Sequence, residues 1–388
     1  MTWRPLRGAF RHACLLLAFA VLAVPAGAQL PETLPRVESG DLVYLGSFGL
    51  PATDGVDDAT EHALSYGGAA LGLGPEGSLY VGCHAWHNRL ARVSIPAVGE
   101  TATVLAPCTA VPNLDAVDPG AGEGLALGGS LLWRNRLLVA AWSYYDAGGD
   151  AAASHFAGPP DVAALEGPVR LDGAAPGLVG GYMGVVPDEW QAALGGPALT
   201  GQCCIPIITR SSQGPAASVF DPDDVGPDRP AASTLLVGYP AEHPLAPWSG
   251  TSALYNGATV IGGLAFPAGS RSVLFFGRHG DTFCYGTGEE CGDPAESDKG
   301  NHAWPYRHQV WAYDAGDLAA VKAGRVAPWD VRPYATWTLP GMSDDGSASM
   351  RSTTYDPTTR RVYITTVYGD APRVHVYQVR TALAAPAS

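Results

Sequence analysis

Histidine, tyrosine and arginine side chains stand in short turns between apolar segments of this sequence. Nine of its ten histidines follow residue 28, and five of these nine fall in two turns, at positions 84, 87, 279, 302 and 308. Tyr144, Arg210 and Arg278 stand in comparable turns. Polar and aromatic groups that converge in one concavity are the usual sign of a ligand site. The pattern predicts one site built from several separate turns.

These residue types suit β-elimination of a uronic-acid polysaccharide. Arg278 and Arg210 would neutralise the sugar carboxylate, which makes the neighbouring carbon-bound proton acidic. His279 and His302 would act as acid and base, and Tyr144 would protonate the leaving oxygen. The residues predicted to contact substrate are His84, Trp86, His87, Trp304 and Tyr306. A polysaccharide lyase is slightly favoured on this basis.

Two other functions compete with the lyase. Glycoside hydrolysis needs two carboxylates about 5–10 Å apart. The acidic candidates are Glu123, Asp146, Asp281, Asp344 and Asp345, among which no pair stands out. The third hypothesis is a protein without catalysis that binds a glycan or another protein with the same turns.

No cofactor is assigned with certainty, but two structural metals are considered. Acid-rich turns at 221–224 and 293–298 offer oxygen ligands for Ca²⁺, although neither has the spacing of an EF-hand. Cys284, Cys291 and His302 offer ligands for Zn²⁺, although their spacing lacks a tight Cys-x2-Cys pair. Solvated acidic turns and disulfides explain the same residues without a metal.

The elements that carry these turns are paired strands, each pair preceded by a turn containing Gly, Asp or Pro. The pairs are 78–83 with 89–96, 136–145 with 154–156, 203–211 with 216–221, 272–278 with 309–314, and 361–368 with 373–379. Runs rich in Val, Ile, Tyr and Phe between such turns are typical of strands. Two short helices are expected, at 187–194 and 317–323.

Small-residue stretches precede most pairs, and a further strand follows at 234–240 and 334–340. This order is typical of a β-propeller blade. We therefore predict an all-β propeller with five blades, or six or seven if weak units lie in 100–120 and 165–200. The strand at 43–51 is expected to complete the last blade and so close the ring. An irregular β-sandwich is the alternative fold.

The N-terminal segment indicates export. Three arginines precede an apolar run over 13–24 and a small-residue cleavage site, which together describe a signal peptide of residues 1–28. The run is too short to span a bilayer, and no membrane span is expected in the mature chain. Residues 29–42 are predicted as a linker, 43–380 as the propeller domain and 381–388 as a disordered tail. The mature protein is expected to be secreted or periplasmic.

Six cysteines remain after the signal peptide, an even number that suggests disulfides in an exported chain. Local pairing gives Cys83 with Cys108 and Cys284 with Cys291. It leaves the adjacent Cys203 and Cys204 to bridge each other. Sequence alone does not choose among the possible connectivities.

Composition and charge narrow the function classes further. The chain has 388 residues with 49 Gly and 33 Pro, a content that disfavours a helical protein. Its formal net charge of −14 argues against a nucleic-acid partner, because phosphate binding needs clustered Lys and Arg. The expected partner is a polysaccharide or an oligosaccharide.

The blade pattern and the Tyr, His and Arg side chains resemble secreted bacterial β-propellers of the ulvan-lyase type. The residues that carry this resemblance are Tyr255, Arg271, Arg278, His279, His302 and Tyr313, in segments covering about a third of the chain. Those lyases are typically longer and have seven blades. The resemblance implies a propeller fold and polysaccharide cleavage by elimination.

Overall fold

The computed structural model of the chain describes residues 1, 31–57, 59–120, 124–227, 229–285, 303–343, 348–367 and 372–380. The predicted signal peptide, C-terminal tail and most of the insert before Trp304 lie outside these residues. Within them the protein is all-β, with 21 strands and four short α-helices. None of the helices in the described ranges has the length and apolar character needed to cross a membrane.

The strands form five units, which we number in chain order; each has four antiparallel strands, and unit 3 has a fifth strand that pairs in parallel. The N-terminal strand is β1 (Leu42–Gly49). Unit 1 contains β2 (Gly72–Gly74), β3 (Ser78–Gly82), β4 (Arg89–Ser94) and β5 (Val104–Ala110). Unit 2 contains β6 (Leu125–Trp133), β7 (Arg136–Ser143), β8 (His155–Gly158) and β9 (Glu166–Val169).

Unit 3 carries most of the helical structure. It begins with β10 (Leu171–Asp172), α1 (Pro176–Val179), β11 (Tyr182–Val185), α2 (Asp188–Leu194) and β12 (Ala198–Gly201). It continues with α3 (Pro206–Thr209), β13 (Ala217–Phe220) and β14 (Ala231–Val237), and β10 pairs in parallel with β14. Helix α2 confirms the helix predicted at 187–194.

Units 4 and 5 complete the series. Unit 4 contains β15 (Val260–Ala265), β16 (Ser272–Gly280), β17 (Tyr306–Asp314), α4 (Ala315–Lys322) and β18 (Ala335–Thr338). Unit 5 contains β19 (Ser349–Asp356), β20 (Arg361–Val367) and β21 (Arg373–Val379). Its fourth strand is β1, which pairs antiparallel with β21, Leu42 opposite Val379 and Gly49 opposite Arg373.

The prediction of a strand at 203–211 is wrong. Residues 206–209 form helix α3, and the strand that pairs with β13 is β12 at 198–201. Proline at position 206 explains the difference, because it lacks the N–H that a strand donates and is well suited to the first turn of a helix. The inner strand of this unit is β11, which lies in 165–200, a stretch predicted only as a possible weak additional unit.

The segment before β1, predicted as a linker, packs on unit 4. Val37 is fully buried, and its N–H donates to Ser272 Oγ at 2.8 Å. The Arg36 guanidinium pairs with the Asp314 carboxylate at 2.7 Å. Leu34 belongs to the hydrophobic core formed by units 3 and 4.

Each of five hydrophobic clusters lies between two successive units. Tyr80 of unit 1 shares a cluster with Leu137 of unit 2, and Leu138 of unit 2 shares another with Phe220 of unit 3. A third cluster joins Tyr182 of unit 3 to Phe275 of unit 4, and a fourth joins Phe276 of unit 4 to Ile364 of unit 5. The fifth joins Val374 of unit 5 to Leu79 of unit 1. The apolar strands therefore bury both faces of their units against neighbours, including the last unit against the first.

The innermost strands (β2, β6, β11, β15 and β19) approach one another backbone to backbone, which explains their small residues. A Cβ added to Gly263 would stand 2.5 Å from Thr353 Cβ of unit 5, and one added to Gly129 would stand 2.8 Å from Gly181 O of unit 3. Ser130 Oγ donates to Ala70 O at 2.8 Å, and Leu71 N–H donates to Ser352 Oγ at 3.0 Å. The Gly-rich stretches identified in the sequence are thus the positions where the units meet.

Candidate ligand-binding site

A cavity of about 400 Å³ lies where the five innermost strands converge. Its wall includes Leu127 of β6, Tyr182 of β11, Ile261 of β15 and Met350 of β19, together with Ala69 just before β2. The ends of the second strands of units 1, 2 and 3 also contribute, with His84, Trp142 and Gln202 among them. Every unit therefore supplies at least one residue to the same cavity.

Arg351 is the main cation of this cavity. It lines the cavity, and part of its side chain stays open to solvent while the surrounding walls cover the rest. Among the described residues its guanidinium has no hydrogen-bond or ion-pair partner. Burial within the surrounding walls and the charge of Arg278 lower the pKa of the Arg351 guanidinium from its ordinary value. A charge held in a concave wall without a partner attracts an anion.

A β-bulge places Arg351 in the wall. Strand β19 shifts register between Met350 and Ser352, so Arg351 is the extra residue. Register shifts occur at the corresponding places of two other innermost strands, where the extra residues are Gly128 and Gly262. Gly128 and Gly262 also line the cavity. Bulges change the direction of side chains next to functional sites. Of the three equivalent bulge positions, two are glycines and the third, Arg351, carries a guanidinium.

Arg89 is the second arginine of the lining, and it is already paired. Its guanidinium binds Glu61 Oε2 at 2.7 Å and donates to Cys108 O at 3.2 Å. No carboxylate occurs among the lining residues that the structure describes. The cavity is therefore locally positive in a chain whose formal net charge is −14.

His84 lies at the cavity wall inside a cluster of rings. Its ring centroid is 5.0 Å from Trp86, 5.6 Å from His87 and 5.6 Å from Tyr66. Burial, together with His87, lowers the pKa of the His84 imidazole, so it is neutral at pH 7. Nδ1 of His84 accepts from the Trp86 N–H at 3.3 Å, which leaves Nε2 as the donor. Trp86 is 82% exposed and presents a free aromatic face beside the cavity.

A second aromatic group comes from the end of β7. Trp142 and Tyr144 both line the cavity, with ring centroids 6.1 Å apart. Tyr145 stands at 4.8 Å from Tyr144, edge to face, and is exposed. Apolar ring faces next to a guanidinium suit a ligand that has both a ring and a negative charge.

The Cys203–Cys204 disulfide forms another part of the wall, beside Gln202 and Ile205. The loop that carries it is held by hydrogen bonds at both ends. Ser212 N–H donates to Gln202 O at 3.2 Å, and Ile205 N–H donates to Ser211 Oγ at 2.9 Å. The predicted pairing of Cys83 with Cys108 is confirmed. Cys284 is also disulfide-bonded, but Cys291 lies outside the described residues, so that pairing stays a prediction.

Several residues predicted for the site lie away from this cavity. His279 is fully buried in β16, and its Nδ1 lies 2.9 Å from Thr259 Oγ1. Trp304 and Tyr306 belong to a separate small apolar cluster. Arg210 ends α3 and donates to Ala147 O. Of the predicted acid, base and anchor residues that the structure describes, only Tyr144 lines the cavity.

Arg278 lies outside the cavity lining but close to Arg351. Its guanidinium stacks over the Tyr306 ring, 4.0 Å from the ring centroid. It is close enough to Arg351 to lower the pKa of that guanidinium, so it strengthens the positive potential without lining the cavity itself. His302, and the acidic candidates Glu123, Asp344 and Asp345, lie outside the described residues.

Three further residues on which the lyase resemblance was based, Tyr255, Arg271 and Tyr313, are buried or paired within the fold. Tyr255 and Tyr313 are fully buried, and the Tyr313 hydroxyl lies 2.9 Å from that of Tyr239. Arg271 forms an ion pair with Asp314 at 2.8 Å. The tyrosine contact joins units 3 and 4, the ion pair lies within unit 4, and none of these residues lines the cavity.

Where the proposed metal sites fall within the described residues, their side chains already have partners, whereas 293–298, Cys291 and His302 lie outside the described residues. In the 221–224 turn, Asp223 accepts from Trp133 and Arg134, and Asp224 pairs with Arg229. Cys284 lacks a free thiolate because it is disulfide-bonded. No group of three His, Cys, Asp or Glu side chains suited to a metal ion occurs in the described ranges.

We expect acid to destabilise the fold partly through His279. Burial, aided by the charge of Arg307, lowers its pKa to about 4. The unfolded chain therefore takes up the proton first, so this contribution to stability is present above about pH 6.5 and is lost as the pH falls towards 4. Urea unfolding between pH 4 and pH 6.5 measures how the free energy of unfolding changes with pH. In His279→Asn this change should be smaller than in the parent protein by about 1 kcal/mol per pH unit.

The matched control is His243→Asn, because His243 is exposed. Comparing slopes removes the loss of packing that the His279 substitution causes at every pH. Equal slopes in the His279 variant and the parent protein would show that His279 does not couple to folding in this way.

No protein-family model matches this sequence, and no curated protein matches it either. Solved structures resemble it at low identity. A glycosyl hydrolase from Bacteroides ovatus is 13% identical, with a TM-score of 0.46, over 92% of this chain and 96% of that one. The Bacillus subtilis arabinanase is 9% identical, with a TM-score of 0.42, over 80% and 94%. A PQQ-bound aldose sugar dehydrogenase from Streptomyces coelicolor is 12% identical, with a TM-score of 0.35, over 86% and 97%.

These three proteins are named as a glycosyl hydrolase, an arabinanase and a dehydrogenase, and each TM-score is below 0.5. The likeness therefore assigns no reaction to this chain.

Proposed function

We propose that this protein is a secreted five-bladed β-propeller that binds an anionic glycan in its axial cavity. The five units are the blades, and β1 closes the ring by completing unit 5. Two observations support closure: the cluster that Val374 shares with Leu79, and the hydrogen bond from Leu71 N–H to Ser352 Oγ. A closed ring leaves no unpaired sheet edge between the last unit and the first.

The observation that carries the function is Arg351. Its guanidinium, which has no partner in the described part of the chain, stands at a bulge in the wall of a cavity that has no carboxylate among its described lining residues. A guanidinium forms two parallel hydrogen bonds with a carboxylate, which is stronger and more selective than a contact with a neutral group. The ligand is therefore expected to carry a carboxylate.

The rings around the cavity favour a sugar. Trp142 and Tyr144 line it, and the exposed Trp86 stands at its side. Flat apolar faces pack against the carbon-bound hydrogens of a pyranose ring, while Gln202 and Asn88 offer hydrogen bonds to hydroxyls. A uronic-acid residue combines such a ring with a carboxylate.

Catalysis by β-elimination is the enzymatic form of this proposal. Arg351 would neutralise the uronate carboxylate and acidify the C5 proton. Tyr144 would take that proton while the C4=C5 double bond forms and the C4–O bond breaks, and the same hydroxyl would then give the proton to the leaving oxygen. The hydrolase alternative needs two carboxylates, and the described lining offers none.

A comparison of charged and neutral glycans tests the proposal. We expect calorimetric binding of polygalacturonate and little or none of its fully methyl-esterified form, because the two polymers share one backbone and differ in the free carboxylate that Arg351 recognises. Elimination would appear as ultraviolet absorbance of unsaturated uronate ends. New reducing ends without that absorbance would indicate hydrolysis instead.

Binding of both polymers with equal affinity would contradict the role of Arg351. Absence of binding across a panel of uronic-acid glycans would contradict the proposed ligand class.

A further inference from the structure

The Cys203–Cys204 disulfide faces the same cavity as Arg351. Cys203 is only 6% exposed and Cys204 only 3%. Both nevertheless line the cavity, so a small solute inside it meets the pair. A large protein reductant would not fit a cavity of about 400 Å³.

Charge selects which solute enters. Arg351 is unpaired among the described residues, Arg278 adds to its potential, and the described lining holds no carboxylate. Anions are concentrated at such a site, and a positive environment also stabilises the thiolates that form when a disulfide opens.

We propose that Cys203–Cys204 is a redox site that a small anionic thiol reaches through the axial cavity. The thiolate of that molecule attacks one cysteine sulfur, the Sγ–Sγ bond breaks, and the other sulfur leaves as a thiolate that takes a proton from water. A second thiol molecule resolves the mixed disulfide. The cysteine pair gains two electrons and two protons, and two thiol molecules become one disulfide.

The loop around the pair is anchored independently of the Sγ–Sγ bond. Ser212 N–H donates to Gln202 O, Ile205 N–H donates to Ser211 Oγ, and Asp146 N–H donates to Ile208 O at 2.8 Å. These bonds hold the loop in place after reduction. Reduction is therefore a local event in the folded protein.

Two thiols of matched size test the proposal without any glycan, so its outcome is separate from that of the proposed function. Mercaptoethanesulfonate carries a negative charge and 2-mercaptoethanol carries none. The folded protein is incubated with each thiol, quenched with iodoacetamide and analysed by peptide mass spectrometry for alkylated Cys203 and Cys204. The measured quantity is the rate with the anionic thiol divided by the rate with the neutral one.

We expect this ratio to fall by about three- to tenfold in Arg351→Gln, because one charge near the reaction is lost. Arg351→Lys should restore it, and Arg134→Gln is the matched control, since Arg134 is an exposed arginine paired with Asp223. Far-ultraviolet circular dichroism confirms that the variants are folded. The proposal is overturned if neither thiol reduces the pair in the folded protein, or if the ratio is the same in the parent and in Arg351→Gln.

Discussion

Arg351→Gln is expected to weaken binding of an anionic glycan by about 10- to 100-fold. Hydrogen bonds to charged groups contribute about 1.5–3 kcal/mol each, and Arg351 has no partner among the described residues that would compensate. Because Gln keeps a polar group of moderate size at the bulge, the wall should stay intact. The measurement is calorimetric titration with polygalacturonate at low and moderate salt.

The controls separate charge from geometry. Arg351→Lys keeps the charge but loses the planar fork, so it should bind with intermediate affinity. Arg134→Gln removes an exposed arginine that pairs with Asp223, and it should bind like the parent. Parent-like affinity in Arg351→Gln would exclude Arg351 as the carboxylate partner.

Gly263→Ala is expected to destabilise the protein by about 2–3 kcal/mol, the cost of forcing extra volume into a closely packed contact. The added Cβ would stand 2.5 Å from Thr353 Cβ and 2.7 Å from Thr353 O. Backbone atoms cannot move aside as a flexible side chain can, so β15 and β19 would have to separate. Urea unfolding of the variant and the parent measures the difference.

Gly226→Ala is the matched control, because a Cβ there has no heavy atom within 4 Å. It should leave the free energy of unfolding almost unchanged. If both substitutions have the same small effect, the close approach of units 4 and 5 does not limit stability.

Most strands were predictable because their signals are local. The runs at 78–83, 89–96, 361–368 and 373–379 are apolar, β-branched and bounded by turn residues, and each forms a strand within one or two residues of the prediction. Unit 3 was misjudged because an apolar run such as 203–211 has no clear period. The proline at 206 favours a helix there, and the segment 182–185, whose strand pattern is weaker, forms the inner strand.

The site was predicted less well, although the sequence contains a signal for it. Apolar–Gly–Gly triplets recur at 127–129, 179–181 and 261–263, and the triplet at 350–352 is Met-Arg-Ser. Aligning these triplets would have singled out Arg351 as a charged residue in a glycine position. Histidine clustering instead led to His279, which strand β16 directs into the core.

The sequence by itself determined the all-β architecture and the place of the glycines, and it made the pairing of Cys83 with Cys108 one of several possible connectivities, which the structure then confirmed. These features depend on strand propensity, turn chemistry and short separations along the chain. Only the tertiary structure decided which side chains share the cavity. A bulge of one residue turns Arg351 inwards, and the convergence of five innermost strands brings it together with His84, Tyr144 and the Cys203–Cys204 disulfide. Side-chain direction depends on register, and register is fixed by contacts between residues far apart in sequence.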